Sequence, residues 1–161
     1  MTDRLLRPWF GALGFLTCFP VPPAAMGGEG GLARTVGYFP AAGALIGASL
    51  ALVAWLGQPP LLGLPAPLLA VALLTAWVWL TGGLHLDGFM DMVDGLASRK
   101  PGGAALAVMQ DARVGAMGAA GGALLLLWKL VLLWSLLEVG TFAVYGAVFL
   151  APLWSRWAMA L

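Results

Sequence analysis

The sequence predicts an all-α fold, a polytopic membrane helix bundle with about four spans plus an N-terminal interfacial or re-entrant helix. Hydrophobic residues make up 61% of the 161 positions, charged residues only 9%, and the mean hydropathy is +0.95. Four apolar stretches reach the roughly 20 residues that a helix needs to cross a bilayer. A soluble domain of this length would carry much more charge, so the bilayer is the expected solvent.

The four predicted spans differ in charge content. Their bounds are residues 36–57, 65–84, 114–137 and 141–161. The first two contain no charged residue, whereas the third contains Lys129 and the fourth contains Arg156. Lys129 lies near mid-span, where we expect it to pair with a carboxylate or to line a polar cavity. Arg156 lies near the end of its span, from which a long side chain can snorkel to the interface.

A shorter apolar stretch, residues 9–19, precedes these spans. It is too short to cross comfortably, and Pro20-Val21-Pro22-Pro23 stops a helix directly after it. We therefore interpret it as the interfacial or re-entrant helix. A secretory signal peptide is the alternative, because Arg4 and Arg7 precede the apolar run and Ala24-Ala25 follows it.

The distribution of basic residues predicts the orientation in the membrane. They flank the first span and occupy the segment between the second and third spans: Arg4, Arg7, Arg34, Arg99, Lys100 and Arg113. Residues 58–64 and 138–140 contain no lysine or arginine. By the positive-inside rule, the N-terminus, the segment 85–113 and the end of the chain face the cytoplasm of a multi-pass protein of the cell inner membrane. The net charge of +1 and the scattered basic residues exclude a nucleic-acid-binding stripe.

Two pairs of glycines, Gly43 with Gly47 and Gly118 with Gly122, are each spaced four residues apart inside predicted spans. This spacing places both glycines on one helix face and allows a second helix to approach closely. We therefore predict that both pairs serve helix packing.

Three of the seven acidic residues crowd into the segment "HLDGFMDMVDGLASR", residues 85–99. In a helix, Asp91 and Asp94 lie about 40° and 20° to either side of Asp87, so the three carboxylates form one stripe. Close carboxylates in apolar surroundings repel and bind a counter-charge, and oxygen ligands favour Mg²⁺, Mn²⁺ or Ca²⁺. The sequence thus predicts a metal site on Asp87, Asp91 and Asp94 that also holds substrate phosphates. A solvated acidic helix is the alternative.

Residues around the stripe are predicted to bind phosphate. Gly88 and Gly95 each follow one of the acids and leave room for a phosphate group, although helix packing explains such glycines equally well. Arg99 and Arg113, together with Lys100, can neutralise a polyphosphate from either end of the segment. The alternative for Arg99 and Lys100 is that they only hold the loop in the cytoplasm.

Asp111 and His85 are further candidates for chemistry. Asp111, in "MQDARVGAMG", is predicted as a fourth metal ligand or as the base that accepts a proton from an attacking hydroxyl. A salt bridge to a neighbouring arginine is the equal alternative. His85 lies about 160° around the helix from Asp87, which argues against a shared stripe. It can still join the acids if Gly82-Gly83 breaks the helix and leaves His85 in the turn.

Two family resemblances follow from these motifs. Residues 91–99, "DMVDGLASR", resemble the first half of the CDP-alcohol phosphotransferase signature, but its second half is missing. The chain more closely resembles the adenosylcobinamide-GDP ribazoletransferase (cobalamin synthase) family. Three segments in the same order carry this resemblance: "FLTCFPVPP" at 15–23, "TGGLHLDGFMDMVDGLAS" at 81–98 and "MQDARVGAMG" at 109–118. Members of the family are usually longer, so we expect a single membrane domain, residues 1–161, truncated at its C-terminus relative to the family.

The resemblance implies a Mg²⁺-dependent enzyme. It would join adenosylcobinamide-GDP to α-ribazole, or to α-ribazole 5′-phosphate, to form adenosylcobalamin or its 5′-phosphate with release of GMP. Carried over to this sequence, the resemblance assigns metal and diphosphate binding to the acidic stripe. It leaves Asp94, Asp111 and His85 as the candidate catalytic residues.

The expected partners are these two substrates and the lipid bilayer, and a homo-oligomer is left open. One competing function is a lipid head-group transferase of the CDP-alcohol type. Another is a non-catalytic membrane transporter, in which the acidic stripe would bind the ion that it moves.

Overall fold

The computed structural model describes residues 2–22 and 31–161, and the described residues are helical with no β-strand. The helices are α1 Thr2–Leu16, α2 Gly31–Val36, α3 Phe39–Gly57, α4 Ala66–Leu80, α5 Leu84–Ala97, α6 Gly102–Met109, α7 Ala116–Val139 and α8 Thr141–Ala158. The predicted all-α fold is confirmed. Of the residues behind the signal-peptide alternative, Ala24-Ala25 lie outside the described ranges.

Within the described ranges, two helical stretches are long and apolar enough to cross a membrane, Arg34–Gly57 and Ala116–Val139. They coincide with the first and third predicted spans. α4 and α5 qualify only as a pair bent by 86°. α8 occupies the fourth predicted span, but Pro152, Arg156 and several polar residues lower its hydropathy. The chain is thus a multi-pass membrane protein with two candidate spans, or three if the bent pair is one span, rather than about four.

The bend between α4 and α5 is encoded by two glycines. Gly82 and Gly83 have φ angles of +60° and +71°, a left-handed conformation that side chains with a Cβ rarely adopt. Just before them, the Thr81 hydroxyl donates a hydrogen bond to the carbonyl of Trp77 at 3.0 Å. The chain therefore leaves α4 sharply, and α5 begins at Leu84 in a new direction.

The main core lies between α3, α4, α7 and α8. It is built from buried aliphatic side chains: Ile46, Leu50, Ala54, Leu69, Ala70, Leu73, Leu133, Val144 and Val148. A second cluster joins α1 to α3, where Phe15 stacks on Phe39 with ring centroids 5.9 Å apart. The expected short N-terminal helix is therefore present and packed on the bundle, while its depth in the membrane stays a prediction.

The first glycine pair brings α3 and α8 into backbone contact. A Cβ atom on Gly43 would lie 2.6 Å from the carbonyl oxygen of Pro152, and one on Gly47 would lie 2.6 Å from the carbonyl oxygen of Phe149. Both distances are shorter than real Cβ contacts, so neither position accepts a side chain without separating the helices. The predicted packing role of this pair is confirmed.

Replacing Gly47 by Ala is expected to destabilise the bundle by roughly 1–3 kcal/mol, because the added methyl group overpacks a contact with rigid backbone atoms. Thermal unfolding of the purified protein in a neutral detergent measures this effect. The matched control is Gly146→Ala on α8, where a Cβ meets nothing within 4 Å. This control should melt at the wild-type temperature or slightly above it, because alanine favours a helix more than glycine does. Equal melting of the two variants would contradict the prediction.

Candidate functional site

Asp94 joins the two most informative segments of the sequence. Its Oδ2 accepts a hydrogen bond from the backbone N–H of Gly115 at 2.8 Å, and its Oδ1 accepts one from the N–H of Gly118 at 2.7 Å. Gly115 is the N-cap position of α7 and has no side chain that could cap the helix. The carboxylate of α5 therefore supplies the cap, and its negative charge also complements the helix dipole.

The glycines of α7 are required by this contact. A Cβ on Gly115 or Gly118 would overlap the carboxylate of Asp94, and one on Gly122 would lie 2.8 Å from Sδ of Met90. Because Asp94 contacts the start of α7 and Met90 contacts a later turn, the two helices run in opposite directions. The packing role predicted for Gly118 and Gly122 is confirmed.

The other two acids of the stripe are in different surroundings. Asp91 is half-buried and Asp87 is exposed, and neither carboxylate makes a hydrogen bond or ion pair among the residues whose side chains the structure describes, 6–22 and 34–161. In the same ranges, no group of three or more histidine, cysteine or acidic side chains is arranged to hold a metal ion. The geometry therefore distinguishes Asp94, whose carboxylate binds backbone N–H groups, from Asp87 and Asp91, whose carboxylates have no partner among the described residues.

His85 points away from the acids, toward α8. Its Nδ1 lies 3.4 Å from Nη2 of Arg156, and its Nε2 lies 3.1 Å from Sδ of Met159. The chain does break at Gly82-Gly83, but His85 is the second residue of α5 and not in the turn, so the condition under which it could join the acids is not met. A catalytic role for His85 stays a prediction.

An open pocket of about 430 Å³ lies between the end of α5, α6 and the start of α7. Its wall combines charged side chains with small apolar ones: Asp94, Lys100, Ala104, Ala107, Val108, Asp111, Arg113, Val114 and Gly115. Among the charged residues predicted from sequence, it thus gathers one acid of the stripe together with Asp111, Arg113 and Lys100. We call it the charged pocket.

Asp111 and Arg113 form a bidentate ion pair at the mouth of the charged pocket. Nη2 of Arg113 lies 3.0 Å from Oδ2 of Asp111, and Nε lies 3.1 Å from Oδ1, which also accepts the backbone N–H of Arg113. These hydrogen bonds to Arg113 hold the pKa of the Asp111 carboxyl below its usual range. The predicted salt bridge is therefore formed, while the roles of Asp111 as metal ligand or base stay predictions.

The two glycines of the stripe are not equivalent. Gly88 faces open space, as expected for a position where a phosphate could approach. The space beside Gly95 is filled by Met109, whose Sδ would lie 3.2 Å from an added Cβ. At Gly95 the structure therefore shows packing between α5 and α6 in place of the predicted room for a phosphate.

Arg99 ends α5 in a conformation that suits glycine better. Its φ angle is +53°, and it is the one non-glycine residue in the described ranges with a positive φ. The left-handed region costs an ordinary residue roughly 1 kcal/mol or more. Glycine is the usual residue in this conformation at the end of a helix.

Replacing Arg99 by Gly is expected to raise the stability of the fold by about 1 kcal/mol, because it removes the left-handed strain. Thermal unfolding in detergent measures the gain. Lys100 follows directly, is equally exposed and has no positive φ, so Lys100→Gly is the matched control and should gain nothing. An Arg99→Gly protein that melts no higher than wild type would contradict the strain argument.

The sequence of the chain matches one family of known proteins. A family model described as "Cobalamin-5-phosphate synthase" matches residues 8–161. The chain is similar to the adenosylcobinamide-GDP ribazoletransferase of Thiobacillus denitrificans, with 43% identity over 152 residues that cover 92% of this chain and 58% of the relative. The relative of the same name from Pseudomonas putida is 40% identical over 158 residues, covering 96% of this chain and 62% of the relative.

The relative from Roseiflexus, with the same name, is 39% identical over 164 residues, which cover 98% of this chain and 59% of that protein. The chain thus spans about three fifths of the length of these curated relatives. No solved structure matches it. Because the match extends from residue 8 to residue 161, it includes the acidic stripe, the charged pocket and the glycines of α7. The chain belongs to the cobalamin-5-phosphate synthase family.

Proposed function

We propose that this chain carries the phosphate-handling site of an adenosylcobinamide-GDP ribazoletransferase. The reaction joins adenosylcobinamide-GDP to α-ribazole, or to its 5′-phosphate, and releases GMP. The single observation that carries the proposal is the contact of Asp94 with Gly115 and Gly118, because it brings the two family segments together at one pocket. The names of the similar relatives support the same reaction.

The charged pocket suits a diphosphate-bearing substrate. Lys100 provides a compact positive charge, and Arg113 provides a planar fork that can bind a phosphate with two hydrogen bonds. Both side chains are exposed, so they can reach a ligand without leaving a buried position. Arg99 precedes Lys100 in the chain but does not line the charged pocket, so its predicted role in phosphate binding stays a prediction.

The carboxylates of Asp87 and Asp91 fit a Mg²⁺ ion. They offer only oxygen donors, they lie one helical turn apart on one face of α5, and they have no partner among the described residues. Mg²⁺ usually takes one or two carboxylates and completes its shell with water and substrate phosphate oxygens. Asp87 and Asp91 therefore suffice to hold the ion, and Asp94 keeps its hydrogen bonds to the start of α7. When bound, such an ion neutralises charge that develops on the phosphates.

Transfer requires a new bond between a ribazole hydroxyl oxygen and the phosphorus attached to cobinamide, while the bond from that phosphorus to GMP breaks. The proton of the hydroxyl must pass to a base. Asp111 is a weak base while Arg113 holds it, since its pKa lies below the usual range. A substrate phosphate that draws Arg113 away restores the basicity of Asp111 in the same event. In this proposal Asp111 is a stronger base with substrate bound than without it.

The site faces the cytoplasm in this proposal. Arg99, Lys100 and Arg113 follow α5 and precede α7, and the connections at 58–65 and at 140 contain no lysine or arginine. Replacing Ser98 by Cys, with Cys18 changed to Ala, tests this placement. A maleimide that cannot cross membranes should leave position 98 unlabelled in right-side-out vesicles, and efficient labelling would reverse the orientation.

The reaction is tested with the purified chain in liposomes, supplied with adenosylcobinamide-GDP, α-ribazole and Mg²⁺. Equal amounts of GMP and cobamide are expected. Product formation with CDP-diacylglycerol instead would indicate a lipid head-group transferase. Release of GMP without cobamide, or neither product, would contradict the proposed transfer.

A further inference from the structure

Basic side chains from three helices meet near the bend between α4 and α5. Arg156 of α8 contacts His85 of α5, with Nη2 and Nδ1 3.4 Å apart. Lys129 of α7 lies with its Nζ 4.8 Å from the centroid of the Trp77 ring, in the last turn of α4. Trp77 is in the last turn of α4 before the bend and His85 is at the start of α5 after it, so the contacts of Lys129 and Arg156 both lie beside this bend. We call His85, Lys129 and Arg156 the basic cluster.

The basic cluster has no acidic partner among the side chains that the structure describes. In the part of the chain that the structure describes, the ion pair between Asp111 and Arg113 is the only one. Lys129 has only the face of Trp77, a weak substitute for a counter-ion. The sequence expectation that Lys129 pairs with a carboxylate is therefore not met among the side chains of residues 6–22 and 34–161, and the alternative, that Lys129 lines a polar cavity, stays a prediction.

Arg156 is buried with part of its guanidinium unsatisfied. Arg156 is only 4% exposed and its Nε has no hydrogen-bond partner among the described residues, while Nη1 donates to the hydroxyl of Ser155 at 2.7 Å. The expected snorkelling of Arg156 is wrong, because the side chain turns into the bundle. A buried, unpaired charge is unfavourable unless something compensates it, and membrane proteins retain such charges mainly for function.

His85 orients this guanidinium without adding charge. A guanidinium only donates hydrogen bonds, so Nδ1 of His85 must accept, and the proton of the neutral ring then lies on Nε2, facing Met159. The basic cluster therefore carries two positive charges, from Lys129 and Arg156, and a free donor on Nε of Arg156.

We propose that the basic cluster binds a phosphate-type oxyanion. Two positive charges match the charge of a phosphate group, and the arginine fork and the lysine ammonium match its oxygens. The site is separate from the charged pocket, because His85 lies on the side of α5 opposite the acidic stripe. The phosphate comes either from the head group of an anionic lipid or from a soluble phosphate compound. The proposal does not depend on the proposed enzymatic reaction.

Thermal unfolding tests the proposal, in a Lys100→Met and Arg113→Met background so that the charged pocket does not respond to anions. Inorganic pyrophosphate added in neutral detergent is one arm. Nanodiscs of phosphatidylglycerol, compared with nanodiscs of phosphatidylcholine, are the other. Stabilisation by pyrophosphate assigns the site to soluble phosphates, and stabilisation by phosphatidylglycerol alone assigns it to lipid. Absence of both responses would overturn the proposal.

Variants then locate the response. Lys129→Met and Arg156→Met should each weaken anion binding roughly tenfold or more, the loss expected for one charge-assisted hydrogen bond.

Without anion, Lys129→Met should melt no lower than its parent, because it removes an uncompensated charge. Lys129→Arg should keep the response, which separates loss of charge from loss of packing. Arg34→Met, at an exposed arginine, is the matched control and should also keep it. A full response in both methionine variants would overturn the assignment.

Discussion

Replacing Asp94 by Ala is expected to destabilise the protein by roughly 2–4 kcal/mol, because two charge-assisted hydrogen bonds and the N-cap of α7 are lost together. The N–H groups of Gly115 and Gly118 would both lose their acceptor in a partly buried contact. The loss concentrates where α5 meets α7, so the segment from Ser98 to Val114 should become sensitive to protease before the rest of the bundle unfolds.

Thermal unfolding and limited proteolysis in detergent measure this loss. Asp94→Asn should fall between Ala and wild type, because an amide has one acceptor oxygen and its NH₂ group opposes the second backbone N–H. Asp87→Asn is the matched control, since Asp87 lies on the same stripe, is exposed and has no partner among the described residues. If Asp94→Ala melted like Asp87→Asn, the capping role of Asp94 would be excluded.

Hydropathy was sufficient to locate α3 and α7, because a long charge-free or nearly charge-free helix has few alternatives in a bilayer. It was less informative for α8. That helix contains Pro152 and Arg156, and its register is fixed by the backbone contact with Gly43 and Gly47. Glycine spacing identified which helix faces would approach closely, but it could not identify the partner helix.

The stripe itself was predictable from helical periodicity, but the different surroundings of its three acids were not. Periodicity places Asp87, Asp91 and Asp94 on one face and treats them alike. Only the register of α5 against α7 singles out Asp94 as the cap. A signal was present in the sequence, since Gly115, the N-cap of α7, has no side chain that could cap the helix.

The side chains of Arg156 and Lys129 show a second limit. A long basic side chain can extend several ångströms along or across its helix, so its position in the sequence does not determine whether it reaches the interface or the interior. The helical angle of His85 correctly separated it from the acids. Its contact with Arg156, 71 residues further along the chain, depends on tertiary packing that one sequence does not reveal.

Replacing Asp91 by Asn is expected to reduce transferase activity by about a hundredfold to a thousandfold, the several kcal/mol that a metal ion contributes to a phosphoryl-type transition state. The free energy of unfolding should stay at the wild-type value, because the Asp91 carboxylate makes no contact with a partner among the described residues that the substitution could break. The two acids thus differ in the property that their replacement lowers: activity for Asp91 and stability for Asp94. Melting and activity measured on both variants therefore separate a metal ligand from a helix cap on the same stripe.

Binding of Mn²⁺, followed by its electron paramagnetic resonance signal with and without inorganic pyrophosphate, provides a readout that does not require turnover. Wild type should bind Mn²⁺ more tightly when pyrophosphate is present, and Asp91→Asn should lose this enhancement. Glu138→Gln is the matched control: it removes one carboxylate near the opposite end of α7, and the new amide oxygen can still accept the hydrogen bond from Trp134. Unchanged Mn²⁺ binding in Asp91→Asn would exclude Asp91 as a ligand. Binding lost equally in Glu138→Gln would mean that only overall negative charge matters, and not the one-turn spacing of Asp87 and Asp91.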